Sequence, residues 1–336
     1  MIDLHAHVVL DGVLGRAGDF GPELIDDPVC PTFRVGDYVL QGVRYRQSAF
    51  MDVDLRLDRM TDLGIGHQVL SPNPLTYFEH VDVSTATEFA RWHNDEMARL
   101  VAAHASLLSG FAQLPVQDPR AAAEELRRSV LDLGLLGGYM GTDYGLGLDD
   151  PSMDELYSTC VSLDVPLFFH PGVAGVDGPL RDPRLRRFDL DLHAGFAHEE
   201  TMAVVTLVFG GVLRRHPSLR VCMSHGGGAI VPLIGKLRRA AATRSSSPEW
   251  LREPGALDAQ LKMIWYDAHV TASEPLAALR AVVGDERLVA GTNLAGWDQP
   301  LADPFDGLTD RLDANAVELL GPRFVDRYRS TNSPPS

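Results

Sequence analysis

Short apolar segments alternate along the chain with longer amphipathic segments, and this alternation predicts strands that are each followed by a helix. The apolar segments predict eight strands, near residues 2–7, 67–71, 107–114, 136–140, 165–170, 219–224, 263–268 and 286–292. The amphipathic segments predict helices near residues 53–64, 84–105, 119–133, 151–163, 195–215, 226–243 and 273–283, with two short helices at about 304–321. An eightfold β/α alternation is typical of a (β/α)8 TIM barrel of the α/β class. The alternative, an open doubly wound sheet, lacks a G-x-G-x-x-G turn after any strand.

Two irregular segments interrupt the alternation. Residues 8–50 are rich in Gly, Pro and Asp without clear periodicity, and we expect them to form a small cap inserted after the first strand. A second irregular segment, 171–192, follows the fifth strand and contains four arginines. We expect one domain spanning residues 1–336, with a disordered polar tail at 330–336.

Composition narrows the functional classes without changing the predicted fold. Of the 336 residues, 45% are apolar and 23% are charged, which is ordinary for a globular enzyme with a single barrel domain. The net charge of −16 disfavours binding to nucleic acids and to anionic membranes. No apolar run is long enough to span a membrane, and Asp3, His5 and His7 interrupt any N-terminal signal sequence. Three widely spaced cysteines predict a reducing, cytoplasmic environment.

Histidines occupy the ends of two predicted strands. His5 and His7 are two residues apart on the first strand, so their side chains lie on the same face. His170 closes the fifth strand, and the C-terminal strand ends of a barrel carry its chemistry. Three neutral imidazoles would bind a divalent metal, Zn²⁺ first with Mn²⁺ as the alternative, and would leave a position open for water or substrate. The simpler alternative is three structural histidines.

A further histidine, His225, closes the sixth predicted strand and is followed by three glycines at 226–228. Glycine allows the backbone to approach a ligand closely or to turn sharply, and N–H groups at a helix N-terminus favour an anion. His225 is therefore a candidate general acid or base. The alternative is that it is a fourth metal ligand, or a hydrogen-bond donor to one.

These motifs together resemble the amidohydrolase superfamily. The motifs are H-x-H on the first strand, His-Pro-Gly at 170–172, Ser-His-Gly-Gly-Gly at 224–228 and Gly-Thr at 291–292. More narrowly, the chain resembles the aminocarboxymuconate-semialdehyde decarboxylase-like branch, most clearly over residues 200–229 and least over 8–50 and after 300.

The resemblance implies a reaction and a set of site residues. The implied reaction is non-oxidative decarboxylation of a muconate-like or aromatic carboxylate. By this similarity His5, His7 and His170 hold the metal, and His225 transfers a proton. Arg44 lies where the branch has an arginine that binds the substrate carboxylate, which a guanidinium can bind with two parallel hydrogen bonds.

One position departs from the family pattern. The family has an Asp after Gly-Thr at the end of the eighth strand, and this chain has Asn293 there. An Asn side chain offers a carbonyl oxygen to a metal, but it is neutral and cannot act as a base. Asp298 or Asp267 could supply the missing carboxylate, although each also has a simpler surface or supporting role as an alternative. Trp297 could stack on an unsaturated substrate or simply pack.

Three functional hypotheses remain at this point. The first is a metal-dependent carboxy-lyase, in which Arg44 binds an acid group of a small carboxylate and His225 delivers a proton to the carbon that loses CO₂. The second is a hydrolase or hydratase that uses metal-bound water. The third is a barrel that has lost catalysis and only binds a ligand, a hypothesis suggested by Asn293. We expect a homodimer, from the base rates for oligomers and from the resemblance.

Overall fold

The computed structural model of the chain describes residues 1–178, 182–299, 305 and 307–326. Its strands are β1 (Ile2–Val8), β2 (Glu23–Ile25), β3 (Thr32–Val35), β4 (Tyr38–Gln41), β5 (His67–Pro72), β6 (Leu108–Gly110), β7 (Ala112–Gln113), β8 (Gly138–Met140), β9 (Leu167–Phe169), β10 (Val221–Met223), β11 (Trp265–Asp267) and β12 (Leu288–Val289). Its α-helices are α1 (Val53–Asp62), α2 (Val83–Ala103), α3 (Pro119–Leu131), α4 (Asp154–Leu163), α5 (Phe196–Phe209), α6 (Val212–Arg215), α7 (Ile230–Thr243), α8 (Ala256–Leu261), α9 (Ser273–Val283) and α10 (Thr309–Leu320).

Parallel strands form the wall of the barrel. One ladder contains β1, β5 and β6, and a second contains β7 to β12 in chain order. The third barrel strand is split into β6 and β7 at Phe111, whose N–H donates to the Leu70 carbonyl. At the other edge Asp3 forms a parallel bridge with Ala290, whose carbonyl also accepts from the N–H of Leu4 at 3.0 Å. The two ladders are thus joined at both edges, and the predicted (β/α)8 fold is confirmed.

The barrel strands bury both of their faces. On β9, Leu167 and Phe169 belong to the large core shared with the surrounding helices, whereas Phe168 belongs to a smaller core inside the barrel. Tyr139 lies in the same smaller core and stacks on Phe168, with ring centroids 5.0 Å apart. The rings of His5 and Phe168 pack in an edge-to-face arrangement, with centroids 6.5 Å apart. The aromatic interior therefore forms a packed floor on which the strand-end histidines lie.

Glycines shorten two of the predicted helices. The helix expected over 195–215 breaks after α5, because Gly211 has a φ of +69° and α6 begins anew at Val212. The helix expected over 226–243 begins only at Ile230, since 225–227 form a 3₁₀ turn in which Gly226 has a φ of +63°. Conversely, α8 forms where the sequence pattern predicted no helix.

The cap after β1 is more regular than its composition predicts. Residues of β2, β3 and β4 form an antiparallel sheet. Phe33 and Val35 of β3 are fully buried and belong to the large core, so the cap is anchored on the barrel. The tail at 330–336 lies outside the described residues. Among the residues that are described, no helix combines the length and the apolar character needed to cross a membrane.

Candidate active site

The structure brings together the three histidines that the sequence predicts as metal ligands. His5 and His7 lie on β1, and His170 directly follows β9. One nitrogen from each ring lies within 4.8 Å of the others. The ring centroids are 5.0 Å apart for His5 and His7, 4.7 Å for His7 and His170, and 5.0 Å for His5 and His170. Two strand ends that are remote in sequence therefore point three imidazoles at one place.

Hydrogen bonds fix the orientation of all three rings. Nδ1 of His5 lies 2.7 Å from Asp267 Oδ2, Nδ1 of His7 lies 2.9 Å from the Pro72 carbonyl, and Nδ1 of His170 lies 2.8 Å from the Pro171 carbonyl. Because these partners are acceptors, the proton of each neutral ring is held on Nδ1. The Nε2 lone pair is then directed inwards, an arrangement typical of metal-binding histidines.

The free nitrogens satisfy a simple test of whether a metal fits. Nε2 of His5 and Nε2 of His7 are buried and have no hydrogen-bond partner within the part of the chain that the structure describes. A buried polar atom left unpaired costs about 1–3 kcal/mol, which a bound cation would remove. Burial lowers the pKa of His7 to about 3 and the pKa values of His5 and His170 well below their ordinary value. The three rings are therefore neutral near pH 7, as ligands must be.

His225 lies across from this trio. Its ring centroid is 4.9 Å from that of His5 and 5.0 Å from that of His170. Its Nδ1 lies 2.5 Å from Oε1 of Glu200, a buried residue of α5 that also accepts a hydrogen bond from Ser224. Burial acts to lower the pKa of His225, but the Glu200 carboxylate, together with the more distant Asp267 and Asp298, outweighs it and raises the pKa to about 9. His225 is thus placed to carry a proton, and Glu200 is a site residue that the sequence reasoning missed.

The end of the eighth barrel strand contributes Asn293. Its N–H donates to the His5 carbonyl at 2.8 Å, and its Nδ2 donates to Asp298 Oδ1 at 2.6 Å. Its Oδ1 is buried and has no hydrogen-bond partner among the described residues. Asn293 and His225 both adopt a positive φ, of +46° and +45°, a conformation that costs a non-glycine residue about 1–3 kcal/mol and is concentrated at functional sites.

Two residues at the C-terminal end of β11 complete the polar wall. Asp267 is fully buried and supports His5, which matches the supporting role considered for it. His269, which the sequence analysis did not single out, has a buried side chain whose Nε2 lies 3.0 Å from Asp298 Oδ2. The sequence signal for His269 was its position two residues beyond Asp267, just after a buried strand. His225, His269 and Asp298 form a second group whose ligand atoms lie within 4.8 Å of one another.

A cavity of about 1160 Å³ has both polar and apolar walls, and its polar lining includes His7, His170, Glu200, His225, His269, Asn293 and Asp298. The walls include Leu40, Val43, Phe50, Leu75, Val173, Leu192 and Phe196. Trp297 lies at the mouth, where 66% of it is exposed and its ring is 5.3 Å from that of His193. Among the described residues, neither Arg nor Lys lines this cavity.

Arg44, which the resemblance implied as a carboxylate-binding residue, does not reach the cavity. Its side chain is exposed, and its Nη2 donates to the Pro28 carbonyl at 2.6 Å. The neighbouring Val43 and Tyr45 line the cavity instead. Arg44 immediately precedes a 3₁₀ turn at Tyr45–Gln47, and its guanidinium is directed to the cap backbone.

Comparisons with known proteins agree with the geometry. The family model described as Amidohydrolase matches residues 2–333. A 2-amino-3-carboxymuconate-6-semialdehyde decarboxylase from Dictyostelium discoideum is 28% identical over 95% of this chain and 91% of its own length. A gamma-resorcylate decarboxylase from Rhizobium sp. (strain MTP-10005) is 30% identical over 89% of this chain and 92% of its own length.

A solved structure has the same fold. It is a dihydroxybenzoic acid decarboxylase from Polaromonas sp. JS666, crystallised with bound manganese and the inhibitor 2-nitroresorcinol. The TM-score is 0.67 at 21% identity, over 99% of this chain and 97% of the other. At that identity the likeness concerns the fold alone.

Proposed function

The chain belongs to the amidohydrolase family, and from this premise we propose that it is a metal-dependent carboxy-lyase that decarboxylates an aromatic or muconate-like acid without oxidation. One observation carries the proposal. The unpartnered Nε2 atoms of His5 and His7 converge with His170, while the Glu200-supported imidazole of His225 faces them at about 5 Å. This pairs a divalent-metal site with a proton donor, which is what non-oxidative decarboxylation requires.

We propose His5, His7 and His170 as the residues that hold the divalent metal. Their protonated Nδ1 atoms keep the rings fixed, so that three nitrogen ligands are preorganised before the ion arrives. When bound, the ion acts as a Lewis acid for an oxygen of the substrate. Three nitrogen donors suit Zn²⁺, which we propose first, and also suit Mn²⁺. The Polaromonas decarboxylase, with bound manganese, supports the alternative.

The proton balance of the reaction assigns a role to His225. When the carbon–carbon bond to the carboxylate breaks, CO₂ leaves and the electron pair remains on the substrate carbon. That carbon must then gain one proton to form a C–H bond. His225 supplies this proton from Nε2, because its Nδ1 is held by Glu200. The negative charge of Glu200 keeps the imidazolium populated at neutral pH.

The remaining walls orient the substrate and exclude water. Phe196 and Trp297 offer aromatic surfaces, and the apolar side chains around them favour a ring or a conjugated chain. Asn293 and Asp298, which the sequence suggested as a metal-facing amide and as a substitute catalytic carboxylate, close the side of the cavity next to His5. We assign them to shaping the site and to holding charge there, since the hydrogen bond between them occupies Asp298 Oδ1.

The proposal is tested by screening aromatic and muconate-type carboxylic acids for CO₂ release, with bound metal quantified in the same preparation. We expect release that depends on metal and is abolished in His225→Asn. Carrying out the reaction in H₂¹⁸O separates the hydrolase and hydratase alternative. Appearance of ¹⁸O in the organic product would contradict a simple decarboxylation.

Two broader expectations remain proposals. A homodimer follows from base rates for oligomeric enzymes, and size-exclusion chromatography with light scattering tests it. A cytoplasmic location is supported by cysteine usage, since Cys30, Cys160 and Cys222 are all free thiols.

A further inference from the structure

A second set of metal-ligand side chains lies beside the first and shares none of its residues. It consists of His225 after β10, His269 after β11 and Asp298 in the loop after β12. One ligand atom from each lies within 4.8 Å of the other two. All three side chains line the same cavity as His7 and His170.

The orientations of the three donors suit a shared cation. Nδ1 of His225 is engaged by Glu200, so the nitrogen that it offers to the cavity is Nε2. His269 Nε2 and Asp298 Oδ2 lie 3.0 Å apart. Two ligand atoms that bind the same ion at about 2.0–2.2 Å in a tetrahedral arrangement lie roughly 3.3–3.6 Å apart. Small side-chain movements therefore convert the hydrogen bond into two metal bonds.

The charges behind the histidines also favour more than one cation. The Asp267 carboxylate contacts Nδ1 of His5, and the Glu200 carboxylate contacts Nδ1 of His225. Asp298 adds a third carboxylate beside His269. Three carboxylates carry a formal charge of −3, and one divalent ion leaves −1 to be balanced. Because neither Arg nor Lys lines the described part of the cavity, this charge is balanced either by a proton, on an imidazole or a carboxylate, or by a second cation.

The spacing of the two groups fits a pair of ions. The ring of His5, from the first group, is 4.9 Å from that of His225 and 5.2 Å from that of His269. His5 therefore lies between the two groups, which places them side by side. In two-metal sites of proteins the ions are also neighbours, about 3.5–4 Å apart.

We propose that His225, His269 and Asp298 bind a second divalent cation, Zn²⁺ or Mn²⁺, next to the one assigned to His5, His7 and His170. Two nitrogens and one carboxylate oxygen are a donor set that both ions accept. Binding there takes the nitrogen of His225 that carries the transferable proton. The second cation is therefore inhibitory, a consequence that rests on the proposed function, whereas the binding itself does not.

The test begins with full-length protein from which metal has been removed by a chelator. This protein is titrated with MnCl₂, and binding is followed by metal analysis and by electron paramagnetic resonance. We expect two equivalents in the wild-type protein, the second weaker, with magnetic coupling between the ions that appears as the second site fills. Asp298→Asn and His269→Gln should each weaken the second equivalent at least about tenfold, remove the coupling and retain the first equivalent. His193→Gln, which removes a histidine at the cavity mouth, should keep both equivalents and the coupling.

Two results would overturn the proposal. One is a wild-type protein that takes up a single equivalent at saturating Mn²⁺. The other is a second equivalent that shows no coupling or persists unchanged in both variants, as a surface site would. Since the side chain of His269 is fully buried, its variant is checked by thermal unfolding, and the partly exposed Asp298 keeps the test valid if His269→Gln unfolds. Coupled binding without CO₂ release from any acid would refute the proposed function and leave the second site standing.

Discussion

Asn293 donates a hydrogen bond of 2.6 Å from its Nδ2 to Oδ1 of Asp298, and this contact ties the end of the eighth barrel strand to the loop that follows it. The amide is 8% exposed, so the bond to a charged acceptor is shielded from water. Such bonds contribute about 1.5–3 kcal/mol, more than bonds between neutral groups. The Asp that the family resemblance implies at position 293 has no N–H to donate when it is ionised. It would place a second carboxylate next to that of Asp298.

This contact predicts that substitutions of Asn293 and Asp298 have non-additive effects on the free energy of unfolding. Asn293→Asp should destabilise the fold by like-charge repulsion, and Asp298→Asn should destabilise it by weakening the bond. The double variant N293D/D298N restores a donor opposite an acceptor. We expect a coupling free energy of about 1–3 kcal/mol in a double-mutant cycle measured by denaturant unfolding. Purely additive losses would mean that the two side chains do not interact in solution.

The Glu200–His225 pair predicts the alkaline limit of activity. A proton donor works in its protonated form, so activity is present below the pKa of His225 and falls as the pH rises through about 9. Glu200→Gln removes the negative charge that raises this pKa. The decline should move to lower pH by about 1–3 units in a kcat profile. The matched control is Glu199→Gln, the partly exposed neighbour on the same helix, whose profile should follow the wild type.

The three convergent histidines predict that metal and stability are linked. A ligand that binds only the folded state adds about 2.7 kcal/mol at a free concentration of 100 Kd, so chelation should lower the unfolding midpoint. His170→Ala should lose the tightly bound equivalent, and chelation should lower its unfolding midpoint less than that of the wild type. His193→Ala should behave as the wild type in metal analysis and thermal unfolding. Full metal retention by His170→Ala would remove this residue from the site.

Substitutions of Arg44 and of Trp297 should affect substrate binding differently. Arg44 is exposed and bonded to a cap carbonyl, so Arg44→Ala should change kcat/KM less than about threefold, equivalent to roughly 0.6 kcal/mol. Trp297→Ala removes an aromatic wall at the cavity mouth and should raise KM with little change in kcat. A large loss in Arg44→Ala would show that the cap rearranges when substrate binds.

A buried arginine predicts the largest loss of stability. Arg56 of α1 is 1% exposed and donates to Gln68 Oε1 and to the His7 carbonyl, both at 2.6 Å. Arg56→Met should cost about 3–5 kcal/mol in the free energy of unfolding, because it leaves buried acceptors unpaired. Arg59→Met, an exposed change on the same helix, should stay within about 0.5 kcal/mol. Equal effects of the two changes would contradict this account.

The amino-acid sequence by itself determined the barrel and the convergence of the three histidines that we propose as metal ligands. Apolar periodicity is a local property, so the strands near His5 and His170 could be found without coordinates. The period of two on a strand then placed His5 and His7 on one face. The barrel fold then predicted that His170 lies near these two residues, since the C-terminal ends of all parallel strands meet at one end of the barrel.

Only the tertiary structure decided which partners support those residues. Glu200 behind His225, Asp267 behind His5 and His269 beside Asp298 join elements that are far apart in sequence, and no local period relates such pairs. The direction of the Arg44 guanidinium to the cap backbone was also decided there, since the sequence of the cap has no regular pattern. Local patterns specify which face of an element is buried, whereas long-range packing specifies which side chains meet across the cavity.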